Sequence, residues 1–162
     1  MPKIEVKSHP AITVVGVKYR GKNEQGEIPQ LWGTLMARQN EIIGRDDSIH
    51  AAYGVSIMDE QYEETMVFDY IAGYPMEEDK APLPESMAQF TIPEGQYAVI
   101  TCPSLDWISQ AYDAIYRWVR ESEDYSLDLS SGNFNFELYG EEFMPDEGST
   151  IFYIYVPVKP KG

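Results

Sequence analysis

The sequence predicts one α+β domain: a curved antiparallel sheet with two helices on one side and a central cleft on the other, built from two strand–helix–strand–strand units. Three observations predict it. Two segments carry helical apolar periodicity, one in each half of the 162 residues. Each is bracketed by extended runs rich in Ile, Val, Thr and aromatic residues. Matching positions also recur at a nearly fixed distance: Phe136 lies 83 residues beyond Tyr53, Tyr153 lies 85 beyond Phe68, and Pro157 lies 82 beyond Pro75. The single domain 1–162 therefore divides into pseudo-repeats of about 1–80 and 85–162. Few residues are identical between the two, so what recurs is the order of elements. The junction of two such units is where a ligand cleft is expected.

In chain order, Ile4–Val6 and Ala11–Tyr19 read as strands separated by His9 and Pro10, and Gly21–Gly26 as a polar loop. Ile28, Leu31, Trp32, Leu35 and Met36 follow the i, i+3, i+4, i+7, i+8 rule and, with Ile42 and Ile43, predict a helix over 28–43. Pro29 suits its first turn and Gly44 its C-terminal stop. His50–Met58 is a strand whose Tyr53, Val55 and Ile57 share a face. Asp59–Glu64 is an acidic loop, Met66–Tyr74 a strand and Pro75–Pro84 a long connection. The second half begins with Met87–Ile92, a turn at Pro93–Gly95 and the strand Gln96–Thr101. A helix opens at Pro103 and Ser104, capped by Ser104 or Asp106, with Ile108, Ala111, Tyr112, Ile115 and Val119 as its apolar stripe. The strands Asn133–Tyr139 and Thr150–Val158 follow, joined by an acidic turn at Gly140–Gly148.

Composition excludes several functions. Hydrophobic residues make up 43%, enough for a packed core. A net charge of −15 opposes direct binding to nucleic acid or to anionic membranes. The longest apolar run, Ile151–Val158, is too short to span a bilayer, and no leader opens the chain. The single cysteine, Cys102, permits no internal disulfide and points to a reducing, cytoplasmic setting. His9 and His50 lack metal-ligand spacing, so neither a metal nor a cofactor is implied. Trp32 reads as a core residue, while Trp107 and Trp118 flank the stripe of the second helix.

The strand Asn133–Tyr139 is the most informative segment. Alternation puts Phe134, Phe136 and Leu138 on one face, expected to be the helix side, and Asn135, Glu137 and Tyr139 on the other, expected to be the cleft. In the last strand, Phe152, Ile154 and Val156 share one face, and Ile151, Tyr153 and Tyr155 the other. Placed beside Glu137, Tyr153 and Tyr155 form a semi-apolar wall around one carboxylate. Such a wall suits a flat, lipophilic cation, or raises the carboxyl pKa for acid–base work. The offset between halves adds Phe68 and Tyr70 to the same wall, and places Asp69 awkwardly on the helix side. The alternative is a second, barrel-like core in which the rings only pack.

In order along the chain, the segments Ala11–Arg20, Ile28-Pro-Gln-Leu-Trp, Tyr53-Gly-Val, Phe68–Gly73, Ile92-Pro-Glu-Gly-Gln-Tyr-Ala-Val, Tyr112-Asp-Ala-Ile-Tyr-Arg-Trp, Phe136-Glu-Leu-Tyr and Ile154-Tyr-Val-Pro-Val-Lys resemble the GyrI-like small-molecule-binding domain, also called the AraC-type effector-binding domain. The resemblance implies a tandem fold with a central pocket that contains Glu137. It implies a small organic ligand, aromatic and cationic, held by Glu137 among Tyr70, Tyr139, Tyr153, Tyr155, Phe68 and Asn135. Two further roles come with it. One is hydrolysis of electrophilic small molecules by Glu137 with a tyrosine such as Tyr139. The other is that of an acidic protein with a protein partner, such as a DNA gyrase modulator. No DNA-binding segment precedes the domain, so a ligand-binding protein that stands alone is expected.

Overall fold

The computed structural model describes residues 3–42, 51–76, 85–140, 143–144 and 148–161. The predicted helix stop at Gly44, His50, most of the connection after Met76 and parts of the acidic turn after Gly140 lie outside these residues. The elements are β1 (Ile4–His9), β2 (Ile12–Gly21), α1 (Glu27–Arg38), β3 (Ala52–Met58), α2 (Tyr62–Thr65), β4 (Phe68–Met76), β5 (Met87–Ile92), β6 (Gly95–Cys102), α3 (Ile108–Glu121), β7 (Tyr125–Leu127), β8 (Asn133–Tyr139), β9 (Phe143–Met144), β10 (Ser149–Thr150) and β11 (Phe152–Pro160). The fold is α+β, with one large antiparallel sheet of nine strands. Helix α1 is shorter than its apolar pattern predicts: it ends at Arg38, and a 3-10 turn over Gln39–Glu41 leads to the buried Ile42. At the other helix, Ser104 and Asp106 do not cap α3. They belong to a 3-10 turn over Leu105–Trp107, entered at Ser104 without a side-chain cap bond.

The strand order is β1-β6-β11-β8-β3-β4-β2-β5, with β7 paired to β11. Outward from the β3–β8 seam it runs β4, β2, β5 on one side and β11, β6, β1 on the other. Strand β1 pairs with β6 rather than with its neighbour β2, and β5 pairs with β2 rather than with β6. The two edge strands thus pair with segments far away in sequence, β1 with β6 and β5 with β2.

Both faces of the sheet are buried, in different ways. On one face α1 packs against Val15, Val17 and Ala72, and α3 packs its buried Ala111, Ile115 and Val119 against Ala98, Ile100, Phe152, Ile154 and Val156. Among the described residues no helix contributes to the other face, yet Val14, Tyr53, Val55, Tyr97, Phe134 and Phe136 there are at most 4% exposed. The side chains of this face pack on one another in one cluster. This is the ring-packed second core that the sequence left open as an alternative. Phe136 stacks on Tyr155 with centroids 4.6 Å apart, and both pack edge-on to Tyr97.

His9 lies inside this second core. Its Nδ1–H donates to the Pro10 carbonyl at 2.7 Å, which leaves Nε2 as acceptor for the Tyr53 hydroxyl at 3.3 Å. Burial holds its pKa below the ordinary histidine value. The unfolded chain therefore takes up this proton first, so stability is unaffected by His9 above about pH 6.5 and falls as pH drops below that value. The expected outcome is that His9→Phe loses less of its unfolding temperature between pH 7 and pH 5 than the parent chain does. Equal losses in the two proteins would show that His9 is not the group responsible.

Candidate functional site

Between α1 and α3 the sheet is lined by small residues. Ala52, Gly54 and Ser56 of β3 stand opposite Tyr139, Glu137 and Asn135 of β8 and on the same face. Side chains this small cannot fill the space between two helices, and a cavity of 2270 Å³ remains there. Drug-sized sites occupy about 300–1,000 Å³, so this is a long groove with room for a bulky ligand. Trp32 and Met36 of α1, Tyr70 of β4, and Tyr112 and Tyr116 of α3 line it beside Glu137 and Tyr139.

Glu137 is 5% exposed and carries three hydroxyl donors. Tyr70 donates to its Oε1 at 2.9 Å, Tyr139 to the same oxygen at 2.6 Å, and Tyr112 to Oε2. Trp32 donates its indole N–H to the Tyr70 oxygen at 3.2 Å. Asn135, 5% exposed, donates to the Tyr116 hydroxyl at 2.9 Å. Burial raises the Glu137 pKa above the ordinary glutamate value, and the three hydroxyls only partly offset this. Burial, and then the Glu137 charge, pushes the pKa values of Tyr70, Tyr112 and Tyr139 upward, so they remain protonated donors at neutral pH. The result is a buried carboxyl group under a floor of neutral rings, its acceptor positions largely occupied and its ionised form disfavoured by burial. Such a floor attracts a diffuse cation through charge and ring faces.

The residues expected from the sequence divide into two groups. Glu137, Tyr139, Asn135, Tyr70 and Phe68 all line the groove. Tyr153 and Tyr155 do not; they pack on the opposite face, in and against the core that contains Phe136. The cleft itself is on the helix side, not opposite the helices as expected. Alternation in β8 and β11 is as read, but the apolar face of β8 closes on itself while the helices cover Phe152, Ile154 and Val156. Asp69 is likewise on the helix-free face, where Arg20 at 3.1 Å and Lys18 at 3.9 Å neutralise it. Trp32 packs against the core under α1, as expected, and also lines the groove: it is half-buried, with its ring edge-on to Tyr139 at 5.3 Å. Tyr112 and Tyr116, the contributions of α3, were missed. Tyr112 was absorbed into the apolar stripe, and the alternating Ala52, Gly54 and Ser56 were the available sign of a gap on that face.

Among the described residues no group of three or more His, Cys, Asp or Glu side chains is placed to hold a metal ion, and no helix is long and apolar enough to cross a membrane. A family model described as integron-associated effector binding protein matches residues 5–158. The transcriptional regulator BrlR of Pseudomonas aeruginosa is 31% identical over 151 residues, which cover 92% of this chain and 53% of BrlR. The chain thus spans about half the length of that curated relative. Among solved structures, the C-terminal domain of EcmrR superposes with a TM-score of 0.69 at 16% identity, covering 98% of each chain. The structure of a protein bound to tetraphenylphosphonium superposes with a TM-score of 0.65 at 15% identity, covering 97% of this chain and 94% of that one. At such identities the likeness is one of fold.

Proposed function

The chain belongs to the integron-associated effector binding protein family, GyrI-like small-molecule-binding domains related to transcription regulators, and from that premise we propose that its groove binds a lipophilic aromatic cation with Glu137 as buried counter-charge. The observation that carries this reading is the placement of one buried carboxyl group beneath Tyr70, Tyr112, Tyr139 and Trp32 at the floor of the groove. A carboxylate raised in energy by burial is stabilised when a cation arrives, so binding energy is concentrated at that point. Support also comes from the neighbour of the same fold that was solved with tetraphenylphosphonium, a cation of this class. Phe68 and Asn135 belong to the wall of the same site. The two halves, which meet at the β3–β8 seam directly under Glu137, are read as two units of one tandem.

The test is the pH dependence of binding. A cation favours the ionised form of Glu137, whose pKa is raised, so affinity falls as pH is lowered through that raised value, above the range of an ordinary glutamate. Titration calorimetry with methyltriphenylphosphonium from pH 8 to pH 5 is expected to show this fall together with proton release on binding. Triphenylphosphine oxide, a neutral body of the same shape, is expected to bind with a pH-independent constant. Parallel pH profiles for the two compounds, or tighter binding of the neutral one at pH 8, would remove Glu137 from the role of counter-charge.

A further inference from the structure

The groove has a second end that the counter-charge does not reach. Tyr112, Tyr116 and Arg120 follow one another at four-residue spacing along α3 and so lie on one stripe. Tyr112 meets Glu137 and Tyr116 meets Asn135, so the stripe faces the cavity, and Arg117 and Arg120 line it further along. Among the described residues neither arginine makes a hydrogen bond or an ion pair, although both are exposed. The other two described arginines, Arg20 and Arg38, each have a carboxylate within 4.0 Å, whereas Lys22, Lys159 and Lys161 also have none among the described residues. In a chain of net charge −15, carboxylates are abundant, yet two of the four described arginines are without one, and both line the same cavity. Asp113 on α3, and Asp59, Glu60 and Glu63, line the same cavity without coming within ion-pair distance of them. The helix dipole accounts for Arg120 in the last turn but not for Arg117.

We propose that Arg117 and Arg120 form an anion-accepting subsite, so that the preferred ligand is amphoteric: an aromatic cation over Glu137 bearing a carboxylate, sulfonate or phosphate on an arm. This rests on the cation reading of the same groove. A rise of 1.5 Å per residue puts Arg117 about 8 Å and Arg120 about 12 Å along the helix from Tyr112, which sets the length of the arm. Guanidinium groups suit the role because their planar donor forks grip an oxyanion with paired hydrogen bonds. The groove volume also exceeds what one ring system needs.

The test compares (5-carboxypentyl)triphenylphosphonium with its methyl ester and with tetraphenylphosphonium by calorimetry on the full chain at low salt. The carboxylate compound is expected to bind about fivefold tighter than the ester, as one net charge-assisted contact in a partly exposed site would give, against the repulsion of a net-negative protein. In the double variant Arg117→Gln, Arg120→Gln, and more weakly in Arg117→Gln alone, that preference is expected to vanish, while tetraphenylphosphonium binds at least as tightly because two like charges have left the groove. An ester that binds as well as the acid to the parent chain, or a preference that survives in the double variant, overturns the subsite and leaves the cation reading standing. Failure of all three compounds to bind overturns both.

Discussion

Replacing Glu137 by Gln is expected to weaken tetraphenylphosphonium roughly 30- to 150-fold, about 2–3 kcal/mol, while raising the unfolding temperature. The two effects have one cause. In the free protein a carboxylate 5% exposed sits under three tyrosine hydroxyls, and its raised pKa means that burial costs more than those hydrogen bonds return. A group whose folded pKa is raised favours the folded state only while protonated. Its contribution is therefore lost as pH rises from the unfolded glutamate range through the folded value, and at pH 7 the charge destabilises the fold. Glutamine removes the charge and keeps the shape, so a gain of about 2–4 °C in unfolding temperature, the worth of about 1 kcal/mol in a domain of this size, is expected at pH 7 and should disappear at pH 4. The affinity loss follows from Coulomb attraction across a few ångströms in a site of intermediate dielectric. Triphenylphosphine oxide should bind both proteins alike. Loss of stability together with loss of binding would mean that Glu137 is a structural anchor for the three tyrosines and not a counter-charge.

Gly54→Ala should disable the same site from beneath. Gly54 lies directly across the strand pair from Glu137, and a methyl group there would stand 1.9 Å from the Tyr70 hydroxyl oxygen and 3.0 Å from Glu137 Oε1. Tyr70 is 1% exposed, so its ring cannot yield without leaving its place. If it swings into the groove, it gives up its bonds to Glu137 and Trp32 and occupies ligand space. The expected cost is about 2–3 kcal/mol of stability, within the range for overpacked cores, with at least a tenfold loss of cation affinity. The closest contact is to the hydroxyl, so Tyr70→Phe in the Gly54→Ala background should recover part of the stability although it loses stability in the parent chain. That change of sign, measured as a double-mutant cycle, is specific to a clash at this pair. Additive effects would show that Gly54 matters for the strand alone.

Much of this site was legible before any coordinates. Alternation along Asn133–Tyr139 separates Asn135, Glu137 and Tyr139 from Phe134, Phe136 and Leu138, and the structure keeps that division. The tyrosines of the last strand lie outside the groove because β8 turns its Glu137 face, not its phenylalanine face, toward the helices, while the tyrosine face of β11 packs with Phe136 on the other side. An apolar strand face packs equally well on a helix or on other side chains of its own sheet, and no local pattern distinguishes the two. Tyr112 illustrates the same limit on a helix: one residue from the buried Ala111, it borders the apolar stripe and also faces the groove.

The sequence by itself determined the long strands and the two long helices, which side chains share a face, and that a lone glutamate stands among aromatic residues, because periods of two and 3.6 residues follow from backbone geometry alone; the short α2, β7, β9 and β10 carry too few residues to show a period. Only the tertiary structure decided that the tyrosine-rich face of the sheet is buried in a second core, that β1 pairs with β6 and β5 with β2, and that small side chains on β3 leave the groove on the helix side. Those outcomes depend on pairings between residues as far apart as Tyr70 and Glu137, whose free energy is set when the whole sheet closes and not by any segment of it.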